Sequence, residues 1–391
     1  MTPPLAKADF IGIADVAHLA AGGETPFLHS HLAAISRFMH DKSAGMPGRT
    51  RMFATVERLK RRLANLLGAD PQDIALLASA SEGLFVAARG IDWRVGDNVV
   101  VALSEYPSVL HAWRAIPGVE VRAVGRAPVA SIDEIRAAVD ARTRLIAASH
   151  VNYLTGARFD LGDLRSIADS AGARLVVDAS HALGVVPVDG SCCDAVVSCA
   201  YKWMLGTHGV GLFYVNNRRW PDLAPPWIGW HSIEPEPDWR RRDSPTIKSS
   251  VERFEIGNPS FISAYVLENG LAALMTAGIP RIEQHVLDLG GTLRGRLVQL
   301  GLPVLTPEPA GQRAGNICIA TDRAEWLEEQ LRARGVLTWG ADGRLRLSVH
   351  GYNDAADVDR AIAALGSLSP GFRPGAGQFE IRLSPEYLGE R

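Results

Sequence analysis

Three short apolar runs crowd the stretch from Leu175 to Val215. Leu175–Val177 ends on Asp178, Ala195–Cys199 runs into Tyr201-Lys202, and Gly209–Val215 closes the stretch. Runs this short and apolar read as buried strands. Two of them deliver a carboxylate and a lysine to their C-terminal ends. That places a site at the strand edge of an α/β sheet, where ligands bind.

The flanking chain repeats the pattern. Ile74–Ala78, Asn98–Leu103, Val119–Val124 and Arg144–Ser149 read as further strands, with helices at Arg51–Leu67, Leu84–Arg89 and Leu161–Ala171. Strands alternating with helices imply a largely parallel, doubly covered sheet. A leading helix is expected over Ile11–Ala20. Phe261–Leu300 reads as two helices that enter a second unit, with strands at Val304–Thr306, Asn316–Ala320 and Leu345–Val349 and helices at Ala324–Arg334 and Ala356–Leu365. The expected division is a segment 1–25, a large domain 26–260, a small domain 261–369 and a Pro/Gly-rich tail 370–391 in which no chemistry is visible.

At 391 residues the chain is comfortable for two domains. A formal net charge of −2 gives no reason to expect nucleic acid or an anionic membrane as partner. No apolar run reaches transmembrane length and Met1–Phe10 lacks a signal-peptide pattern, so a cytoplasmic location is expected. Cys192, Cys193, Cys199 and Cys318 lack zinc-site spacing and read as reduced structural thiols, with no metal expected.

An aspartate and a lysine so placed suit pyridoxal phosphate (PLP). That cofactor needs a lysine to hold its aldehyde as a Schiff base and an acid to keep its ring nitrogen protonated. The lysines are Lys7, Lys42, Lys60, Lys202 and Lys248, and only Lys202 ends an apolar strand. Asp178 is the acid, and its pKa is expected to be low beside a ring cation. Ser79-Ala80-Ser81 opens a helix with small residues; this is an anion site by its free N–H groups, or a plain N-cap. The glycines of Gly206–Gly211 precede a strand instead of opening a helix, which rules out a dinucleotide loop.

From Gly48 to Leu365 the order of these motifs resembles fold-type I PLP enzymes, specifically the class V aminotransferase group that includes kynureninases, cysteine desulfurases and isopenicillin N epimerase-like proteins. The resemblance implies a large domain with a mainly parallel seven-stranded sheet covered by helices, plus a smaller α+β C-terminal domain against which 1–25 packs. It implies that Ser79, Ala80 and Ser81 grip the phosphate together with Tyr201, and that Tyr106 stacks on the ring. Asn152, in His150-Val151-Asn152-Tyr153-Leu154-Thr155-Gly156, would bond the 3′-oxygen, and His181 would support Asp178 or face the ring. Trp227 and Asn258 resemble kynureninase residues that complete a neighbouring subunit's site, which implies a homodimer. Arg346 matches the arginine for the substrate α-carboxylate.

The implied function is chemistry at the α-carbon of an amino acid through Lys202 and a carbanion, by transamination or kynureninase-like lysis. An epimerase is the alternative, and a non-catalytic PLP-fold binding module is the alternative of another class. Cys318 lies inside an apolar strand pattern, which argues against a cysteine desulfurase. His29, His31 and His40 either line a substrate mouth or sit exposed.

Overall fold

The computed structural model describes residues 2–125, 130–235 and 245–368. The tail 370–391 and part of the charged run Glu234–Asp243 lie outside the described residues. After a short strand β1 (Ala17–His18) come helices α1 (Ser30–Ser43) and α2 (Gly45–Leu67). The next stretch alternates: β2 (Ile74–Leu77), α3 (Ala80–Arg89), β3 (Asn98–Ala102), α4 (Pro107–Arg114), β4 (Glu120–Val124), α5 (Ile132–Ala138), β5 (Thr143–Ser149), α6 (Leu161–Ala171) and β6 (Arg174–Asp178). Two strands come directly after, β7 (Ala195–Cys199) and β8 (Gly211–Val215).

These strands form a seven-stranded sheet in the order β2-β8-β7-β6-β5-β3-β4. All neighbours are parallel except β8, which runs antiparallel to both β2 and β7. Every residue of β3, β7 and β8 is buried. Strands covered on both faces explain why their sequences are continuously apolar and do not alternate. The parallel register sets the ends of β5 and β6 side by side, with Ser149 opposite Asp178.

Helices α7 (Phe261–Ala277) and α8 (Ile279–Gln299) lead into the second unit. It contains β9 (Asn316–Ala320), α9 (Ala324–Arg332), β10 (Val336–Leu337), β11 (Trp339–Ala341), β12 (Arg344–Ser348) and α10 (Ala355–Leu368). Here β12 lies between β11 and β9, antiparallel to both, and β10 pairs instead with β1. The sequence Arg344-Leu345-Arg346-Leu347-Ser348 alternates with a period of two, as a strand with unlike faces must. Leu345 and Leu347 join Ile317 and Ile319 in an apolar core, while the arginines and Ser348 face the other way.

Several local expectations are corrected. Ile11–Ala20 is no helix: Gly12 takes φ +75°, and Ala17–His18 pairs with Val336–Leu337. The apolar spacing there reflects docking on the second unit, a tertiary demand that mimics helical periodicity. Val304 makes only an isolated bridge to Ile319. The hairpin from β11 to β12 was not expected; its turn, Asp342-Gly343, takes positive φ at both residues (50° and 72°), as Asp-Gly turns do.

The two units meet closely at Gly156, which takes φ +74°. A Cβ there would stand 2.1 Å from the carbonyl oxygen of Asn316. Gly156→Ala should destabilise the fold by about 2–4 kcal/mol and lower Tm visibly in a thermal melt. An unchanged Tm would contradict the close approach.

Candidate active site

Ser149, Asp178 and Cys199 end three adjacent strands and line one pocket with Lys202. The fourth wall is the start of α3. Ser79 caps that helix, its Oγ accepting from Glu82 N at 3.1 Å, while the Glu82 carboxylate accepts from Ala78 N at 2.7 Å. The hydroxyl is thus engaged in the cap, but the first-turn N–H groups of Ala80 and Ser81 have no helical carbonyl within reach. Both residues line the pocket, and Ser81 Oγ bonds Ser108 Oγ at 2.7 Å. N–H groups at the positive end of a helix form a cradle for a phosphate.

Asp178 is buried, and its Oδ1 accepts from Ser180 N at 2.8 Å. Burial pushes its carboxyl above the ordinary carboxylate range, against the Ser180 hydrogen bonds and the Lys202 charge. The low pKa expected from the sequence is therefore corrected for the protein alone. A buried carboxylate reaches a low pKa when a cation lies against it, and a protonated ring nitrogen fits that demand.

Lys202 Nζ lies 3.2 Å from His181 Nε2, and 5.6 Å and 5.5 Å from the ring centres of Tyr106 and Tyr201. Thr25 Oγ1 donates to the carbonyls of Tyr201 and Lys202 at 3.1 and 2.8 Å, so the N-terminal segment clamps the lysine's loop. His181 Nδ1 accepts from Asn316 Nδ2 at 2.9 Å. The Asn316 Oδ1 in turn accepts from Ser348 Oγ at 2.8 Å, so the small sheet holds the amide that faces His181. Burial, with the Lys202 charge, holds His181 far below its usual pKa and hence neutral.

Arg346 is buried at 3 % exposure. One terminal nitrogen donates to Tyr153 O at 3.2 Å, and its Nε has no hydrogen-bond partner. It makes no ion pair with a carboxylate among the described residues. Burial lowers its pKa to about 10, so it stays charged at neutral pH. Gly22 passes over it: a Cβ there would be 2.7 Å from Ser348 Oγ and 3.0 Å from Arg346 Nε.

Of the residues expected from the sequence, the pocket gathers Ser79, Ala80, Ser81, Tyr106, Asp178, His181, Tyr201 and Lys202. Asn152 is a correction. Its Nδ2 donates to Ser104 O, and its Oδ1 accepts from Leu154 N, Thr155 N and Thr155 Oγ1, so it ties the turn and does not line the pocket. The next residue, Tyr153, takes that place, edge-on to Tyr106 at 5.2 Å. Trp227 and Asn258 stay outside: Trp227 is exposed, and Asn258 Oδ1 accepts from Arg49 at 2.9 Å. His29 and His40 are exposed, and buried His31 accepts from Leu28 N; none of the three lines the pocket.

The chain matches the family model described as aminotransferase class-V over residues 25–361. This chain belongs to the class V aminotransferase family. The uncharacterized aminotransferase YcbU of Bacillus subtilis (strain 168) is 26 % identical over 309 residues, covering 78 % of this chain and 82 % of that protein. A cysteine desulfurase of Salmonella choleraesuis is 26 % identical over 390 residues, covering 93 % of each chain. Among solved structures, a lysine mutant of C-DES with glycine covalently linked to its PLP cofactor superposes with a TM-score of 0.84 at 20 % identity, covering 92 % of this chain and 98 % of that one. The family and these neighbours make PLP the cofactor of this class V protein, and the cradle, acid and lysine above fit it. Nothing in these relatives points to kynureninase or epimerase chemistry, and the desulfurase among them gives the expected exclusion of that activity no support.

Sequence reasoning missed Ser180, Cys199 and Thr25, and also Glu105. Buried Glu105 accepts from Ser149 N at 2.7 Å and from Ser149 Oγ. Burial pushes its pKa from 4.5 up to about 7. A raised folded-state pKa means that stability is fully present below pH 4.5 and is lost as pH rises through 7. Between pH 5 and 8 the wild type should lose about 2–3 kcal/mol relative to Glu105→Gln, measured by denaturant unfolding of both. A pH-independent gap would refute this.

Proposed function

We propose that this class V enzyme removes the α-proton of an amino acid and carries the substrate to transamination. The observation that carries the reading is one pocket that holds the Lys202 amine beside His181 and the buried Asp178 carboxylate, with an Arg346 guanidinium that has no carboxylate partner among the described residues bonded to the backbone of its wall residue Tyr153. PLP supplies, when bound, the electron sink for the pair released at the α-carbon. Ala80 and Ser81 would hold its phosphate through first-turn N–H groups, and Asp178 would keep its ring nitrogen protonated.

Arg346 takes the α-carboxylate, for which a planar guanidinium with spare donors is suited. That anchor determines which bond of the α-carbon faces Lys202. Lys202 then moves the proton, and His181 borders it from the side with Nε2. Tyr106 forms the apolar wall that holds a ring flat.

Lysis at the β-carbon starts from the same proton removal and remains the second reading. Desulfuration needs, in addition, a thiolate that reaches the substrate. Cys318 is fully buried in β9 with its pKa raised to about 11 by burial, and β11 joins β12 through the tight Asp342-Gly343 turn, with no cysteine between them. This supports transamination over desulfuration, although desulfurases are among the relatives.

Trp227 and Asn258 lie on an exposed surface. Leu32, Met39, Met46, Trp230 and Ile256 are exposed apolar residues there and on α1–α2. We infer a homodimer in which Trp227 and Asn258 approach the partner's phosphate cradle.

The purified protein should show a yellow Schiff-base band that Lys202→Ala abolishes or shifts. Amino acids should convert the band to the pyridoxamine form. Release of pyruvate or alanine with the band retained would mean a lyase, and sulfane sulfur from cysteine would mean a desulfurase. Arg346→Met should keep the band but lose roughly 100-fold in kcat/KM. A protein that takes up no PLP would overturn the reading.

A further inference from the structure

One strand carries two buried arginines on the same face. Arg344 precedes Arg346 by two residues on β12, so both side chains leave the sheet on the side opposite Leu345 and Leu347. Ser348, on that same face, reaches His181 through Asn316. Neither arginine lines the pocket itself; both reach it through Tyr153, Arg346 at the backbone carbonyl and Arg344 at the ring.

Arg344 is 1 % exposed, yet its Nε and one terminal nitrogen have no hydrogen-bond partner. Its remaining nitrogen lies 3.5 Å from both the carbonyl and a carboxylate oxygen of Asp342, the turn residue, whose side chain is one-third exposed. That contact is long, and it leaves two donors over. The guanidinium lies 4.8 Å from the ring centre of Tyr153, which lines the pocket, and 4.5 Å from that of Trp339. Arg346 shares the Trp339 ring at 4.8 Å. The Trp339 ring thus contacts both guanidinium groups.

Burying two cations side by side is costly, because each loses hydration and repels the other. Stacking on aromatic faces offsets part of that cost. The unmet donors call for anions. One α-carboxylate satisfies Arg346 and leaves Arg344 unanswered. We propose that Arg344 binds a second carboxylate, so that the substrate is an amino acid with an acidic side chain. Side chains two positions apart on a strand are separated by about 7 Å, a distance that the two carboxylates of an aspartate- or glutamate-sized molecule can bridge. Trp339 and Tyr153 would flank the carbons between them.

This inference rests on the functional reading above, and its test separates the two. The visible band of the holoenzyme is titrated with L-aspartate, L-glutamate and L-alanine, and with maleate and acetate as unreactive probes. An acidic amino acid should half-saturate at roughly one-tenth or less of the alanine concentration, and maleate should bind tighter than acetate by a similar factor. Arg344→Met should weaken the acidic amino acid by roughly 100-fold and alanine far less, with Arg344→Lys between. The probe titrations need no variant, so a misfolded Arg344→Met leaves the proposal open to refutation. A holoenzyme that reacts with alanine but prefers neither acidic amino acids nor maleate overturns this inference alone, as does an equal loss for all substrates in Arg344→Met. Failure to bind PLP overturns the functional reading instead.

Discussion

Burial of charge in a dry cleft is the constraint on which this structure turns. Asp178, Lys202, Arg346 and Arg344 all lie at or below one-tenth exposure, where an unanswered charge is expensive. The sheet edge makes such a place available, because parallel strands end together and their covering helices keep water out. The second unit then sets Arg346 on the backbone carbonyl of the pocket residue Tyr153 and Arg344 against its ring. Neither sheet holds the site alone: Asn316 and Ser348 of the small sheet orient His181 of the large one.

The joint between the units is correspondingly close. Gly156 admits the Asn316 carbonyl, and Gly22 leaves room for the Arg346 guanidinium and Ser348. Thr25 holds the lysine's loop by its carbonyls. These contacts involve backbone or small residues, since any added side chain would fill the space needed by the charged groups. The N-terminal segment thus acts as a clasp, with β1 paired to β10 on one side and Thr25 bonded to the Lys202 loop on the other.

The parts legible in the sequence were those that local pattern dictates. Continuous apolar runs marked the buried strands, and the residues closing each run marked the sheet edge: Asp178, Tyr201-Lys202, and Ser79-Ala80-Ser81. Arg346 was legible through the resemblance to the class V family and not through the strand pattern, in which a lone arginine reads as a surface residue. Its neighbour Arg344 stands in the same alternation and was overlooked as a site residue. Asn152 and Tyr153 were confused because a turn residue and a wall residue are adjacent, and only the hydrogen bonds of the turn decide which points inward. The strand at Ala17–His18 was unreadable for a different reason: its apolar residues answer to a partner more than three hundred positions away.

The lysine, acid and phosphate cradle bear on where a proton is taken and leave the fate of the carbanion open. Outcome is decided by groups that the substrate side chain meets. In the proposal made above those groups include Arg344 of β12, which stands against the ring of the pocket residue Tyr153. A short Asp-Gly turn leaves no length for a mobile loop bearing a nucleophile, and the strand it introduces contributes guanidinium groups instead. Two buried guanidinium groups beside Tyr153 would favour a substrate that keeps its anionic side chain through the reaction over one whose side chain must be attacked and removed. Transamination has that property.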